Sequence, residues 1–263
     1  MDELRITYLG QCGFLLEGEG VTIVTDPYLS NYVDNNHDGW KRSYEAPCDL
    51  ISLKPDLILI SHSHDDHMDP ETLGNYRKAG GNAAIAAPAP EISLLKELGF
   101  SRIINARAEK PFHFKDVVIT PIACAHTSLD MDECGRFRNL SYLIDFGTRC
   151  VFFGGDMSLY DGLSERIGVE NCDILLLPCN GRDEERTNQG IIGNTTAEES
   201  ASLAHDLALP FIPAHHDLYP NNGRPTEEIV KAAKDADASV IVLKVGENYT
   251  FGNDDDDDDD IFD

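Results

Sequence analysis

The run Ser61-His62-Ser63-His64-Asp65-Asp66-His67-Met68-Asp69-Pro70 places three imidazoles and three carboxylates within ten residues, directly behind the apolar stretch Leu57-Ile58-Leu59-Ile60. Imidazole nitrogens and carboxylate oxygens are the usual ligands of borderline and hard divalent ions. The spacing His-x-His-x-Asp-His offers four of them on one tight loop at a strand end. The implied chemistry is metal binding, and such a loop can hold two ions close together. Further potential ligands follow later apolar runs: His126 in Ala125-His126-Thr127, Asp156 after Gly154-Gly155, and His215-His216-Asp217 after Phe211-Ile212-Pro213. Taken singly, His126 also reads as a surface histidine and Asp156 as a turn cap. Of the adjacent pair, His215 is preferred as ligand because it lies nearer the strand end. His37, His113 and His205 have no partners in sequence and read as ordinary histidines.

These groups need strands and turns to position them. Short β-type runs at 4–9, 14–17 and 21–25, broken by glycines, predict an antiparallel meander. Residues 30–50 carry no periodicity and read as a long surface loop of the kind that borders a binding site. The apolar run at 57–60 predicts a buried strand, and Asp69-Pro70-Glu71 predicts a helix start, with Asp as N-cap and Pro in the first turn. The histidine run therefore lies between a strand and a helix. Further strands are expected at 83–87, near 103, and at 117–122, 142–146, 151–154, 174–177, 211–213 and 240–242. Helices are expected at 90–98, 195–207 and 226–236. Strands first and helices interleaved later favour one α/β domain over residues 1–252, two mixed β-sheets flanked by helices, followed by an acidic tail at 253–263.

Composition narrows the function. The 263 residues carry a formal charge of −26, which argues against a nucleic-acid partner, since binding a polyanion relies on clustered Lys and Arg. Seven cysteines without a Cys-x-x-Cys pair fit a reducing compartment, and all read as small buried hydrophobes. The N-terminus shows no export signal and no stretch reaches the ~18 apolar residues of a membrane span, so a cytoplasmic location without membrane contact is expected. The sequence leaves a homo-oligomer open.

The ordered set of His62-x-His64-x-Asp66-His67, His126, Asp156 and His215 resembles the metallo-β-lactamase superfamily, and the fold implied is that family's αββα sandwich. The resemblance assigns His62, His64 and His126 to one divalent ion and Asp66, His67 and His215 to a second, with Asp156 bridging. It gives Asp26, in Val24-Thr25-Asp26-Pro27, the part of a supporting partner behind the ligands. Zn²⁺ or Mn²⁺ suits such donors, and Fe does too. The implied reaction is hydrolysis by metal hydroxide. Within the superfamily, Tyr8-Leu9-Gly10-Gln11-Cys12-Gly13-Phe14, Asp66-His67-Met68-Asp69, Ser141-Tyr142-Leu143 and Ile212-Pro213-Ala214-His215-His216-Asp217 are similar to the L-ascorbate-6-phosphate lactonase group. Asp69 is thereby a second supporting residue.

The expected activity is a binuclear, metal-dependent lactonase or esterase acting on a small-molecule substrate, such as a phosphorylated sugar-acid lactone. Asp66, Asp156 and His216 are its candidate catalytic groups, because the leaving alkoxide needs a proton. Arg136, Arg138 and Arg182, with Asn180, Gly181 and Tyr219, are the candidate substrate-binding groups. Two alternatives stand beside it: cleavage of a small phosphodiester by the same ions, and a metal-binding protein without catalysis.

Overall fold

The computed structural model describes residues 3–169 and 171–251, so the acidic tail read at 253–263 lies outside the described residues. Thirteen strands are found among them: Arg5–Gly10 (β1), Gly13–Gly18 (β2), Val21–Thr25 (β3), Leu57–Leu59 (β4), Ala84–Pro88 (β5), Ile103–Ala106 (β6), Phe112–Phe114 (β7), Val117–Ala123 (β8), Leu140–Asp145 (β9), Cys150–Phe153 (β10), Ile174–Pro178 (β11), Phe211–Ala214 (β12) and Asn248–Thr250 (β13). The α-helices are Tyr32–Asn36 (α1), Pro70–Lys78 (α2), Ile92–Glu97 (α3), Leu163–Gly168 (α4), Glu184–Asn188 (α5), Ala197–Leu207 (α6) and Thr226–Asp235 (α7).

Two mixed sheets result, ordered β13-β1-β2-β3-β4-β5-β6 and β12-β11-β10-β9-β8-β7. The expected meander is present, with β1, β2 and β3 paired antiparallel, and β3 to β6 then run parallel. In the second sheet, β7 to β10 are antiparallel while β10, β11 and β12 are parallel. The parallel strands read as continuous apolar runs because both their faces are covered. In β4, Leu57 and Leu59 enter the core between the sheets, while Ile58 joins Ile60, Leu73 and Leu95 on the outer side under α2 and α3. Likewise Phe153 and Leu176 point between the sheets, and Phe152 and Leu175 pack outward against α4, α6 and α7. This is the αββα sandwich. Each buried Phe contributes enough that truncation to Ala would cost about 3–5 kcal/mol.

Helix starts follow the local chemistry. Asp69 caps α2, accepting the N–H groups of Glu71 and Thr72. Thr196 and Glu199 form a capping box on α6, one residue later than the Thr195 start expected. The strand expected at 240–242 is reduced to a single bridge between Val240 and Phe211. Val240 packs on the outer cluster and Ile241 on the core between the sheets, the alternation of an extended segment, but the ladder beside β12 ends after that bridge. The chain then supplies β13 beside β1 instead. The short α1, β7, α4 and α5 carry too few residues for a readable period.

Candidate metal centre

The ligand-type side chains all leave the same end of the sandwich. The histidine loop follows β4, His126 follows β8, Asp156 follows β10 and His215 follows β12. Two bonds draw the sheets together there: Leu140 N–H donates to Ser61 O at 3.0 Å, and the Tyr142 hydroxyl donates to Ile60 O at 2.8 Å. Gly155 is required at this seam. Its φ is +62°, and a Cβ would stand 2.7 Å from Ser61 Cβ, so any side chain would push Asp156 away from the loop. Three other site residues, Gln11, Asp26 and His215, hold positive φ without being glycine, a strain of about 1–3 kcal/mol each of the kind that collects at functional sites.

Asp156 organises the centre. Its Oδ2 lies 3.2 Å from His126 Nε2 and 4.0 Å from His62 Nε2, while its Oδ1 lies 3.2 Å from His67 Nε2 and 3.4 Å from His215 Nε2. Asp66 Oδ2 completes the second group, 3.6 Å from His67 Nε2 and 3.3 Å from His215 Nε2. Donor atoms of His62, His64, His126 and Asp156 lie within 4.8 Å of one another, as do those of Asp66, His67 and His215. These separations lack hydrogen-bond alignment: Nε2 of His62, His67 and His126 is buried without a hydrogen-bond partner. Buried donors left unpaired and converging at ~3.3 Å, the edge of a tetrahedron with ~2.0 Å metal–ligand bonds, fit divalent ions.

The supporting shell is built from the turn after β3. Asp26 accepts the Ser61 N–H on Oδ1 at 2.7 Å, and on Oδ2 the Ser61 hydroxyl at 2.5 Å and His67 Nδ1–H at 2.7 Å. Ser61 Oγ in turn stands 2.9 Å from His62 Nδ1. One carboxylate thus orients two imidazoles with Nε2 toward Asp156. Asp69 is placed differently from the expectation. It is fully buried, but its bonds go to Glu71 and Thr72 at the start of α2, not to a ligand.

Charge follows the same division. Burial lowers the pKa of His62 and His64, so both stay neutral and ready to ligate. Burial disfavours charge on His67 and His215 as well, yet Asp156 and Asp66 outweigh it and raise both. Burial would raise Asp66 and Asp156, but His67 and His215 hold both well below the usual carboxylate range.

Two residues near the ligands were not read from the sequence as site residues. Gln11 is buried and its amide donates to Asp66 Oδ2 at 2.6 Å, with His215 Nε2 3.0 Å away. Cys12, expected to be a plain hydrophobe, directs its thiol at Asp156 Oδ1, 3.8 Å away. Both lie in the Gly10-Gln11-Cys12-Gly13 turn, a signal noted only as part of a motif. The other proposed residues do not gather at the ligands. His216 is buried beside Tyr8 and Thr226, which corrects its catalytic assignment. Arg182 forms an ion pair with Glu199, and Arg138 one with Asp130. Asn180 links Asn194 to Asn222 in a buried amide chain. Tyr219 bonds Tyr28 and Asp34. None of these five lines the cavity above the ligands.

Fold and site together define a metal-dependent hydrolase of the metallo-β-lactamase fold. A family model described as the beta-lactamase superfamily domain matches residues 5–212, and the chain belongs to that superfamily. A UPF0173 metal-dependent hydrolase of Archaeoglobus fulgidus is 24% identical over 264 residues, covering 94% of this chain and 99% of that protein. An N-acyl-phosphatidylethanolamine-hydrolyzing phospholipase D of Saccharomyces cerevisiae is 27% identical over 186 residues, 66% of this chain but 39% of the relative. Among solved structures, Igni18, a metallo hydrolase of Ignicoccus hospitalis, superposes with a TM-score of 0.73 at 23% identity, over 95% of this chain and 99% of that one. Among the described residues no helix is long and apolar enough to cross a membrane.

Proposed function

We propose that the chain hydrolyses a small ester or lactone at a two-ion centre, with His62, His64 and His126 holding one ion, Asp66, His67 and His215 the other, and Asp156 shared. The observation that carries this reading is the division of Asp156, whose two oxygens each face a different pair of imidazoles. When bound, a divalent pair lowers the pKa of water and polarises the bond to be broken. The chain's own groups do the rest. Asp26 and Ser61 fix the imidazole orientations, and Gln11 holds Asp66. Asp66 and Asp156 line the cavity as its ligand-side carboxylates and are the groups available to carry a proton to the leaving alkoxide oxygen. The phosphorylated sugar-acid substrate loses its support, because the arginines meant for the phosphate are paired elsewhere.

A second reading, cleavage of a phosphodiester, is favoured by the likeness to the yeast phospholipase D. Purified chain loaded with Zn²⁺ or Mn²⁺ separates the two when assayed on γ-lactones and carboxylic esters against bis-p-nitrophenyl phosphate. Ester or lactone turnover that Asp156→Ala abolishes supports the first reading. Turnover confined to the phosphodiester overturns it.

A further inference from the structure

A cavity of ≈ 450 Å³ opens above the ligands. Its lining joins the ligand-type groups His64, Asp66, Asp156 and His215 to the apolar side chains of Val33, Trp40, Ile191 and Ile192, with Gln189 and Asn222 as uncharged polar neighbours. We propose that this cavity selects an uncharged substrate, with the reacting carbonyl over the carboxylate and imidazole groups and an apolar substituent packed between Trp40 and the Ile191-Ile192 pair. The proposal rests on the hydrolase reading and names the substrate chemistry of the same site.

The wall is built to stay apolar and in place. Trp40 packs edge-on against Tyr219 with ring centroids 5.0 Å apart. Tyr219 is itself fixed by hydrogen bonds to the Tyr28 hydroxyl and to Asp34. On the other side, Arg186 of α5 donates to the carbonyls of Asn180, Gly181 and Gly223, and Ile191 N–H bonds Arg186 O at 2.9 Å. Ile192 remains 46% exposed, an apolar surface left open at the mouth. An aromatic ring and two branched side chains facing a few convergent polar groups is the usual make-up of a small-molecule site.

Electrostatics exclude an anionic substituent. Among the described residues that line the cavity, none is Lys or Arg. Of the cations of the neighbouring loops, Arg42 bonds Ser30 O and Asn31, Arg182 pairs with Glu199, Arg186 with the carbonyls above and Asp183, and Lys41, exposed beside Trp40, stands 3.8 Å from Asp34. At the mouth, His37 Nε2 stands 2.8 Å from Asp65 Oδ2, so that imidazole already has a hydrogen-bond partner. A carboxylate or phosphate on the remote end of a substrate would lie beside Asp65 and an apolar wall, without a partner and inside a strongly acidic chain.

The test uses a matched pair of esters on metal-loaded protein: 4-nitrophenyl pentanoate, and mono-4-nitrophenyl glutarate, in which a carboxylate replaces the terminal methyl of an acyl chain of the same length. The expected kcat/KM favours the neutral ester by about tenfold or more, and Trp40→Ala and Ile191→Ser each erode that preference through KM. A second readout is independent of turnover. Trp40 is the single tryptophan, so its fluorescence reports ligand entry. Pentananilide should perturb the emission of the metal-free chain at lower concentration than its ω-carboxylate analogue, glutaranilate. Ester turnover without preference, together with equal fluorescence responses, overturns the proposal while leaving the hydrolase reading intact. Discrimination in fluorescence with no turnover of any panel substrate sustains the pocket chemistry and overturns the hydrolase reading. Failure of both readouts overturns both.

Discussion

The side-chain amide of Gln11 donates to Asp66 Oδ2 at 2.6 Å, across 55 residues of chain. The same residue accepts the His215 N–H on its backbone carbonyl at 2.7 Å, so the turn between β1 and β2 positions two members of the Asp66, His67 and His215 group at once. Gln11→Ala is expected to weaken the ion at that group by about 10–100-fold and to spare the group around His62, since outer partners of metal ligands carry effects of that size. Metal-to-protein ratios measured by elemental analysis against a graded chelator should show one ion leaving early. Two ions lost together at the wild-type chelator strength would refute the coupling.

Asp26 serves three donors with two oxygens, all of them buried. In Asp26→Asn one end of the side chain becomes a donor, so either Ser61 N–H or the Ser61 hydroxyl and His67 side must face another donor. The expected cost is about 1–3 kcal/mol of stability in the metal-free protein. The loose His67 ring adds a loss of metal affinity of roughly 10–100-fold. Urea midpoints of chelated protein measure the first and metal competition measures the second. A variant as stable as the parent would show that the network does not support the loop.

The two halves of the centre should respond differently to pH. His67 and His215 have folded-state pKa values raised by Asp156 and Asp66 against the opposing effect of burial, so both keep their protons to higher pH than a free imidazole in the metal-free chain. Their contribution to metal-free stability is fully present below the unfolded value of ~6.5 and is lost as pH rises through the raised values. An ion must displace those protons, so affinity at this group rises with pH over that window. His62 and His64, lowered by burial, are already neutral and give up none. Calorimetric titration at pH 7 in buffers of different ionisation enthalpy should show protons released with only one of two binding events. Equal release from both events would reverse the assignment.

How far the sequence foretold this site depends on what holds each residue. His62, His64, Asp66, His67, His126, Asp156 and His215 were legible because each follows an apolar run, and strand ends in such sheets meet at one edge. The loop read at 30–50 does border the cavity, through Val33 and Trp40, but the Ile191-Ile192 side was not legible, because it lies in an irregular segment set by Arg186, whose side chain bonds the carbonyls of Asn180, Gly181 and Gly223. Arg182 read as a free cation because its pairing with Glu199 requires α6 to pack against the loop after β11. Of the adjacent pair, His215 is preferred in the sequence for its place nearer the strand end, and the backbone agrees: His215 adopts φ +56° and points its ring at Asp156, leaving His216 to pack against Tyr8.

Asp69 is the remaining carboxylate of the opening run, and its contacts give it a role separate from the ions. Oδ1 accepts the Glu71 and Thr72 N–H groups at 2.9 and 3.1 Å, and Oδ2 accepts the Thr72 hydroxyl at 2.5 Å. Burial raises its pKa while these donors pull it down, the signature of a helix cap enclosed by the fold. Asp69→Ala should destabilise the protein by about 1–2 kcal/mol through the loss of the cap on α2. Asp69→Asn, which keeps an acceptor oxygen for the N–H groups, should recover most of that loss. Metal content and affinity should match the parent in both variants once they are folded. Urea midpoints read beside elemental analysis decide the matter: an ion lost from Asp69→Ala at unchanged stability would move Asp69 from the helix to the metal centre.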